Sequence, residues 1–159
     1  MKENKVLIAV ILFFLNSTIV KSEPLAILPF VKGTLSSIKD EYKQRPFILI
    51  FWSESCGYCM KELAMFGKLQ KQFPHISLVT VATDSFLEDD IIRRVINESQ
   101  LTLSNAWVFS DRFPENIYAD VNKRWRGELP VTHFFDAHHN ENRVLGIINE
   151  EALIEWLAL

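Results

Sequence analysis

The stretch Phe47–Leu63, FILIFWSESCGYCMKEL, changes its periodicity halfway along. Phe47 to Trp52 is wholly apolar and follows Pro46. So short a run with no polar face belongs to a strand inside a sheet that is covered on both sides. After Cys56, the residues Met60, Leu63, Ala64, Phe66, Leu69 and Phe73 recur at three- and four-residue steps, which predicts a helix from Cys56 to Gln72 that stops before Pro74. Cys56 and Cys59 therefore stand at a strand-to-helix junction, one turn apart on the same side of the helix. A thiol at a helix N-terminus meets unpaired backbone N–H groups and the positive end of the helix dipole, both of which favour the thiolate. Cys56 is the expected nucleophile, and Cys59 the thiol that resolves a mixed disulfide formed on it.

Strand-like and helix-like segments alternate on either side of this junction. Leu25–Phe30, interrupted by Pro29, reads as an edge strand, and Thr34–Lys43 as a first helix. Ile76–Ala82 is a β-branched central strand; Phe86–Ser99 carries Leu87, Ile91, Ile92, Val95 and Ile96 at helical spacing. A short strand at Ala106–Phe109, a helix at Glu115–Lys123 and a strand at Val131–Asp136 follow. The polar turn Ala137–Glu141 then leads into a hairpin partner at Arg143–Ile148 and a closing helix at Glu150–Leu159. Strands separated by helices are expected to run mostly parallel and the last two antiparallel, giving a mixed sheet with helices on both faces.

Residues 1–22 have the three-part layout of a secretory signal: Lys2 and Lys5, an apolar run from Val6 to Leu15, then a more polar stretch ending at Ser22. The uncharged stretch Val6–Val20 is 15 residues, against the roughly 20 that a spanning helix needs, so a cleaved signal is favoured over a retained anchor. Either reading puts residues 23–159, a single domain, outside the cytoplasm, periplasmic or otherwise secreted, and membrane-anchored only if the leader is retained. Of 159 residues, 17 are basic and 20 acidic; removing the leader takes Lys2, Lys5, Lys21 and Glu3 and leaves 14 basic and 19 acidic. Without a Lys/Arg cluster, such a body has no electrostatic footprint for nucleic acid.

Cys56 and Cys59 are the only cysteines. A zinc site lacks its second cysteine pair, and His75, His133, His138 and His139 show no ligand spacing with the first. No metal is expected. A disulfide closing so small a loop adds little chain-entropy stabilisation, which leaves redox chemistry as the favoured reading and a structural bridge as its rival.

FILIFWSESCGYCMKEL resembles the active-site strand, turn and helix of thioredoxin-fold proteins. It is most similar to the secreted TlpA/ResA-type thiol:disulfide oxidoreductases, where Phe-Trp leads to C-x-x-C and a Lys-Glu pair, here Lys61-Glu62. Trp125–Thr132, WRGELPVT, resembles the segment of that family with a cis-proline at the start of a strand beside the C-x-x-C. The resemblance extends over residues 25–159. It implies a thioredoxin-like three-layer α/β/α fold with a mixed central sheet, and no cofactor beyond the redox-active cysteine pair. It also implies protein thiols and disulfides as substrates, a membrane-bound redox partner, and a cis Leu129–Pro130 peptide. On this view Leu129 and Pro130 border the substrate groove, with Tyr58 and Trp125 as further contacts. Read from the residues alone, Pro130 is a trans-proline opening a strand, and only the resemblance favours cis.

Several positions depart from the pattern. Thioredoxins carry a buried Asp six residues before the first cysteine, a Trp directly before it and a helix-bending Pro five after the second; these positions are Ile50, Ser55 and Ala64. Glu54 is the nearest acid before the cysteines and belongs on an exposed turn. Gly57-Tyr58 is the dipeptide of the isomerase DsbC, and Leu129 stands where Thr is common. Family likeness favours a reductase and the dipeptide an oxidase or isomerase. A non-catalytic binding module with a structural disulfide is the reading from another class.

Overall fold

The computed structural model describes residues 25–103 and 105–157. The expected signal, residues 1–22, lies outside them, as do the last two residues of the expected final helix. Chain order is β1 (Ala26–Phe30), α1 (Thr34–Glu41), β2 (Phe47–Trp52), α2 (Gly57–Gln72), β3 (Leu78–Ala82), α3 (Asp89–Glu98), β4 (Asn105–Phe109), α4 (Pro114–Val121), β5 (Val131–Phe135), β6 (Glu141–Leu145) and α5 (Glu150–Leu157). The strands form one sheet in the order β1-β4-β3-β2-β5-β6.

All six residues of β2 are buried, and they divide by alternation between two cores. Ile48, Ile50 and Trp52 face α2, α3 and α5, packing with Leu63, Phe66, Ile92, Ile96 and Leu153. Phe47, Leu49 and Phe51 face α1 and α4, packing with Ile38, Ile117, Phe109 and Trp125. The result is three layers, helices on either side of a mixed sheet.

β1, β4, β3 and β2 run parallel, whereas β5 is antiparallel to β2 even though α4 precedes it. After α4 the stretch Asn122–Leu129 carries the chain to the end of the sheet where β2 finishes, so β5 starts there, with Val131 opposite Phe51, and runs back. β6 begins at Glu141, two residues earlier than the sequence pattern predicts, because Asp136 closes the turn: its Oδ1 accepts from the backbone N–H of His138 and Asn140. α3 begins at Asp89 rather than Phe86, since Phe86 has a left-handed backbone (φ 61) and gives its N–H to the Phe109 carbonyl. Among the described residues no helix is long and apolar enough to cross a membrane.

Gly67 sets how closely α2 lies against the end of α3. A Cβ built there would stand 1.9 Å from the Ser99 carbonyl oxygen, a backbone atom that cannot swing aside. Gly67→Ala is therefore expected to destabilise the fold by roughly 1–3 kcal/mol despite the better helix propensity of alanine. Urea unfolding of both proteins checks this; equal or higher stability of the variant would show that the two helices are free to part.

Candidate functional site

Cys56 is the N-cap residue of α2, with an extended backbone (φ −90, ψ 94), and its Sγ accepts a hydrogen bond from the Cys59 N–H at 3.1 Å. It is joined to Cys59 in a disulfide with a Cα–Cα distance of 5.2 Å. The two sulfurs are not equivalent: Cys56 is half-buried and Cys59 is packed into the core below the first turn. Burial and the helix terminus together leave Cys56 as the sulfur an external thiol can reach.

Three elements hold the junction. The Ser53–Ser55 turn closes on itself through the Cys56 N–H donated to the Ser53 carbonyl. Asp84, just beyond β3, clamps the turn: Oδ1 accepts from the Ser53 hydroxyl and Oδ2 from the Glu54 N–H, both at 2.8 Å. On the other side, the β2–β5 register puts Pro130 beside the end of β2, one step beyond the Phe51–Val131 pair. The Leu129–Pro130 peptide is cis, with Pro130 buried and Leu129 half-buried. Pro130 and Leu129 thus share one end of the sheet with Cys56 and Cys59. Tyr58 is exposed between the cysteines, with the Lys61 ammonium over its ring at 5.6 Å. Glu54 is on the surface, paired with Arg94 at 2.7 Å.

Trp125 does not line a groove. It is 1% exposed, with its ring 4.7 Å from those of both Phe51 and Tyr118, and its indole N–H donates to the Glu128 carbonyl. It anchors the segment leading to Leu129 from inside, because the alternative would leave a large aromatic surface in water.

The sequence marked Glu62 only as half of the Lys61-Glu62 pair after the second cysteine, and its burial is a finding of the structure. Its side chain lies on the core side of α2, one turn beyond Cys59, and the residue is 1% exposed. Oε1 accepts from the Thr132 hydroxyl, and Oε2 has no partner among the described residues. Thr132 pairs directly with Ile50. An acid from the helix therefore occupies the layer over the strand position where thioredoxins carry theirs, and Ile50 needs no polar substitute. Burial pushes the Glu62 carboxyl above the usual carboxylate range, opposed but not offset by the Thr132 hydroxyl and the polar backbone of Ile148 nearby. The one signal for it in the sequence was the i, i+3 spacing from Cys59 on an otherwise apolar face.

Among the described residues no three His, Cys, Asp or Glu side chains come together as a metal site. A cavity of about 390 Å³ bordered by Phe47, His75, Asp136 and Trp156 lies at the opposite end of the sheet, away from the cysteines.

No family model matches the chain, and no curated protein matches it. Solved structures of similar fold include a secreted disulfide oxidoreductase of Mycobacterium tuberculosis homologous to E. coli DsbE, with TM-score 0.61 and 19% identity, covering 75% of this chain and 84% of that one. A DsbF homologue from Corynebacterium diphtheriae superposes with TM-score 0.61 at 15% identity over 76% and 74% of the two chains. StoA from Bacillus subtilis does so with TM-score 0.53 at 23% identity over 72% and 83%. At these identities the likeness shows the fold, which is thioredoxin-like.

A raised Glu62 pKa means that the folded protein holds this proton more tightly than the unfolded chain. Stability therefore falls as pH rises from the ordinary carboxylate range through the raised value, and is flat above it. Glu62→Gln keeps an acceptor for Thr132 and removes the ionisation. Its stability should gain on that of the wild type as pH rises from about 4 to about 8. Urea titrations of the two oxidised proteins at both pH values test this, and an equal difference at the two would assign the titration to another group.

Proposed function

We propose that the protein is a secreted thiol:disulfide oxidoreductase that works on protein disulfides through Cys56 and Cys59, in the reductive direction. The observation that carries the reading is the asymmetry of the pair: an accessible sulfur at the N-cap of a long helix, bonded to a sulfur in the core with a buried carboxyl one turn below. The M. tuberculosis protein of similar fold is described as a secreted disulfide oxidoreductase, which agrees with the signal-like leader.

In this reading the reduced protein presents Cys56 as a thiolate, stabilised by the Cys59 N–H that its sulfur already accepts in the oxidised form. The thiolate attacks one sulfur of a substrate disulfide; the Cys56–substrate bond forms, the substrate S–S bond breaks, and one substrate thiolate leaves. Cys59 then gives up its proton and attacks the Cys56 sulfur. The second substrate thiolate leaves, Cys56–Cys59 is restored, and two electrons have passed to the substrate. Glu62 is the buried carboxyl on the Cys59 side of the helix suited to hold that proton, since burial makes it bind a proton more tightly than an ordinary carboxylate. Leu129 and Pro130 flank Cys56 as the backbone beside which the substrate strand lies, and Tyr58 offers an aromatic contact from the other side. The cysteine pair is the only redox group the cycle uses. A dithiol donor, assigned here to a membrane-bound partner, returns the pair to the reduced state.

Trapping tests the function. With Cys59→Ser, Cys56 cannot be released from a substrate, so covalent adducts reducible by dithiothreitol should accumulate in the native compartment and disappear in the Cys56→Ser, Cys59→Ser double variant. A lack of adducts, under conditions where a known oxidoreductase gives them, would leave the pair as a structural bridge in a binding module. Direction is read from the reduction potential: a value near about −270 mV supports the reductase and one near about −120 mV an oxidant.

A further inference from the structure

Six large apolar side chains are markedly exposed among the described residues: Val31, Tyr58, Phe86, Phe113, Leu145 and Ile147. All six lie at one end of the sheet. Val31, Phe86 and Phe113 follow the C-terminal ends of β1, β3 and β4, Tyr58 is in the first turn of α2, and Leu145 pairs with Val131 at the start of β5, just before Ile147. Isolated exposed apolar residues are ordinary, but segregation to the end that carries Cys56 is not what indifferent scatter produces.

Phe86 and Phe113 are the most exposed of the six, at 60% and 66%, and leave neighbouring parallel strands. Phe86 stands in the left-handed region (φ 61), which is unfavourable for a non-glycine residue of this bulk, and its ring stays mostly exposed. Its backbone is nevertheless fixed, by the N–H bond to the Phe109 carbonyl and by Asp84 two residues earlier, whose carboxylate clamps the turn in front of Cys56. Phe113 is held by its N–H bond to Asp111 Oδ1. Two aromatic rings are thus displayed on braced loops, one of them tied directly to the cysteine junction.

Charge selects among occupants. From Thr83 to Asp90 the chain carries Asp84, Glu88, Asp89 and Asp90 and no Lys or Arg; beside Phe113, Asp111 and Glu115 stand against the single cation Arg112, so the two loops together are strongly acidic. An anionic lipid surface would be repelled, and a second copy in a two-fold contact would set these carboxylates against their own images. We infer that Phe86 and Phe113 form a docking patch, beside the redox centre, for an extended, incompletely folded polypeptide segment with apolar and Lys/Arg side chains. The inference deepens the oxidoreductase reading and rests on it for what the docked segment is brought to Cys56 for.

The test uses the full chain and a fluorescent, cysteine-free peptide of mixed Leu, Phe and Lys residues, with binding followed by anisotropy at low salt. Phe86→Gly, which suits the left-handed backbone, and Phe113→Ser should each weaken binding roughly tenfold, as loss of a central aromatic contact does. Replacing the Lys residues of the peptide by Glu should weaken binding to the wild type similarly. Phe86→Gly should melt no lower than the wild type, so that lost affinity is not lost fold, and turnover of 2-hydroxyethyl disulfide should be unchanged in both variants. Equal peptide affinity for the wild type and the double variant overturns the proposal. So does a wild-type dimer that the same substitutions dissociate, which would make a second copy the occupant, or anionic-vesicle binding that they abolish. Failure of the wild type to turn over 2-hydroxyethyl disulfide sinks the redox reading alone, and peptide affinity still decides the docking.

Discussion

The structure depends on a strand with no freedom left. β2 is paired on both edges, with β3 and β5, and buried on both faces, so neither its register nor its tilt can change without breaking a hydrogen-bonded ladder or opening a core. Trp52, its last residue, therefore has a fixed position, and its carbonyl accepts from both the N–H and the hydroxyl of Thr83 on the neighbouring chain segment. Beyond that point only Ser53, Glu54 and Ser55 separate the strand from Cys56, and Asp84 takes up the freedom of that turn. Cys56, the nucleophile of the proposed reaction, is thus held by the most constrained part of the sheet.

The same constraint explains the placement of the other groups. Because β5 starts where β2 ends, the segment before it must arrive at the cysteine end, and Trp125, packed against Phe51 of β2, sets how that segment lies. Because β3 and β4 run parallel to β2, their following loops also emerge there, bringing Asp84, Phe86 and Phe113 to the same end. Parallel topology concentrates chain ends, and in open α/β sheets the carboxyl ends of the strands are where ligands bind. Here the Cys56–Cys59 pair, the cis peptide and the exposed aromatics share that edge.

The layout was legible in the sequence wherever periodicity alone decides. The apolar run Phe47–Trp52 and the three-four spacing after Cys56 gave β2 and α2 directly. What sequence could not show was which way a side chain or strand turns once the chain has left a regular element. Leu87 and Ile91 continue the helical pattern back to Phe86, but the Phe109 carbonyl takes the Phe86 N–H and α3 starts later. Trp125 lies near Pro130 along the chain, which says nothing of whether its ring faces the groove or the core. Glu62 is in the sequence only the second half of a Lys-Glu pair, and nothing shows it buried until Thr132, 70 residues later, is placed beside it.

Glu62 also bears on the choice between a redox centre and a structural bridge. The layer it occupies is otherwise filled by Ile50, Leu63 and Phe66, and an apolar side chain there would avoid burying a carboxyl oxygen with no partner. A module that kept the Cys56–Cys59 bond only for stability would gain nothing from an acid in that layer, since the bond closes too small a loop to need support and carries no proton. A protein that opens and closes the bond must supply and remove protons at both sulfurs, and the inner one is buried. A carboxyl whose proton burial holds more tightly than usual, one turn from that sulfur, is a cost to the fold that fits the proposed function better than a structural bridge.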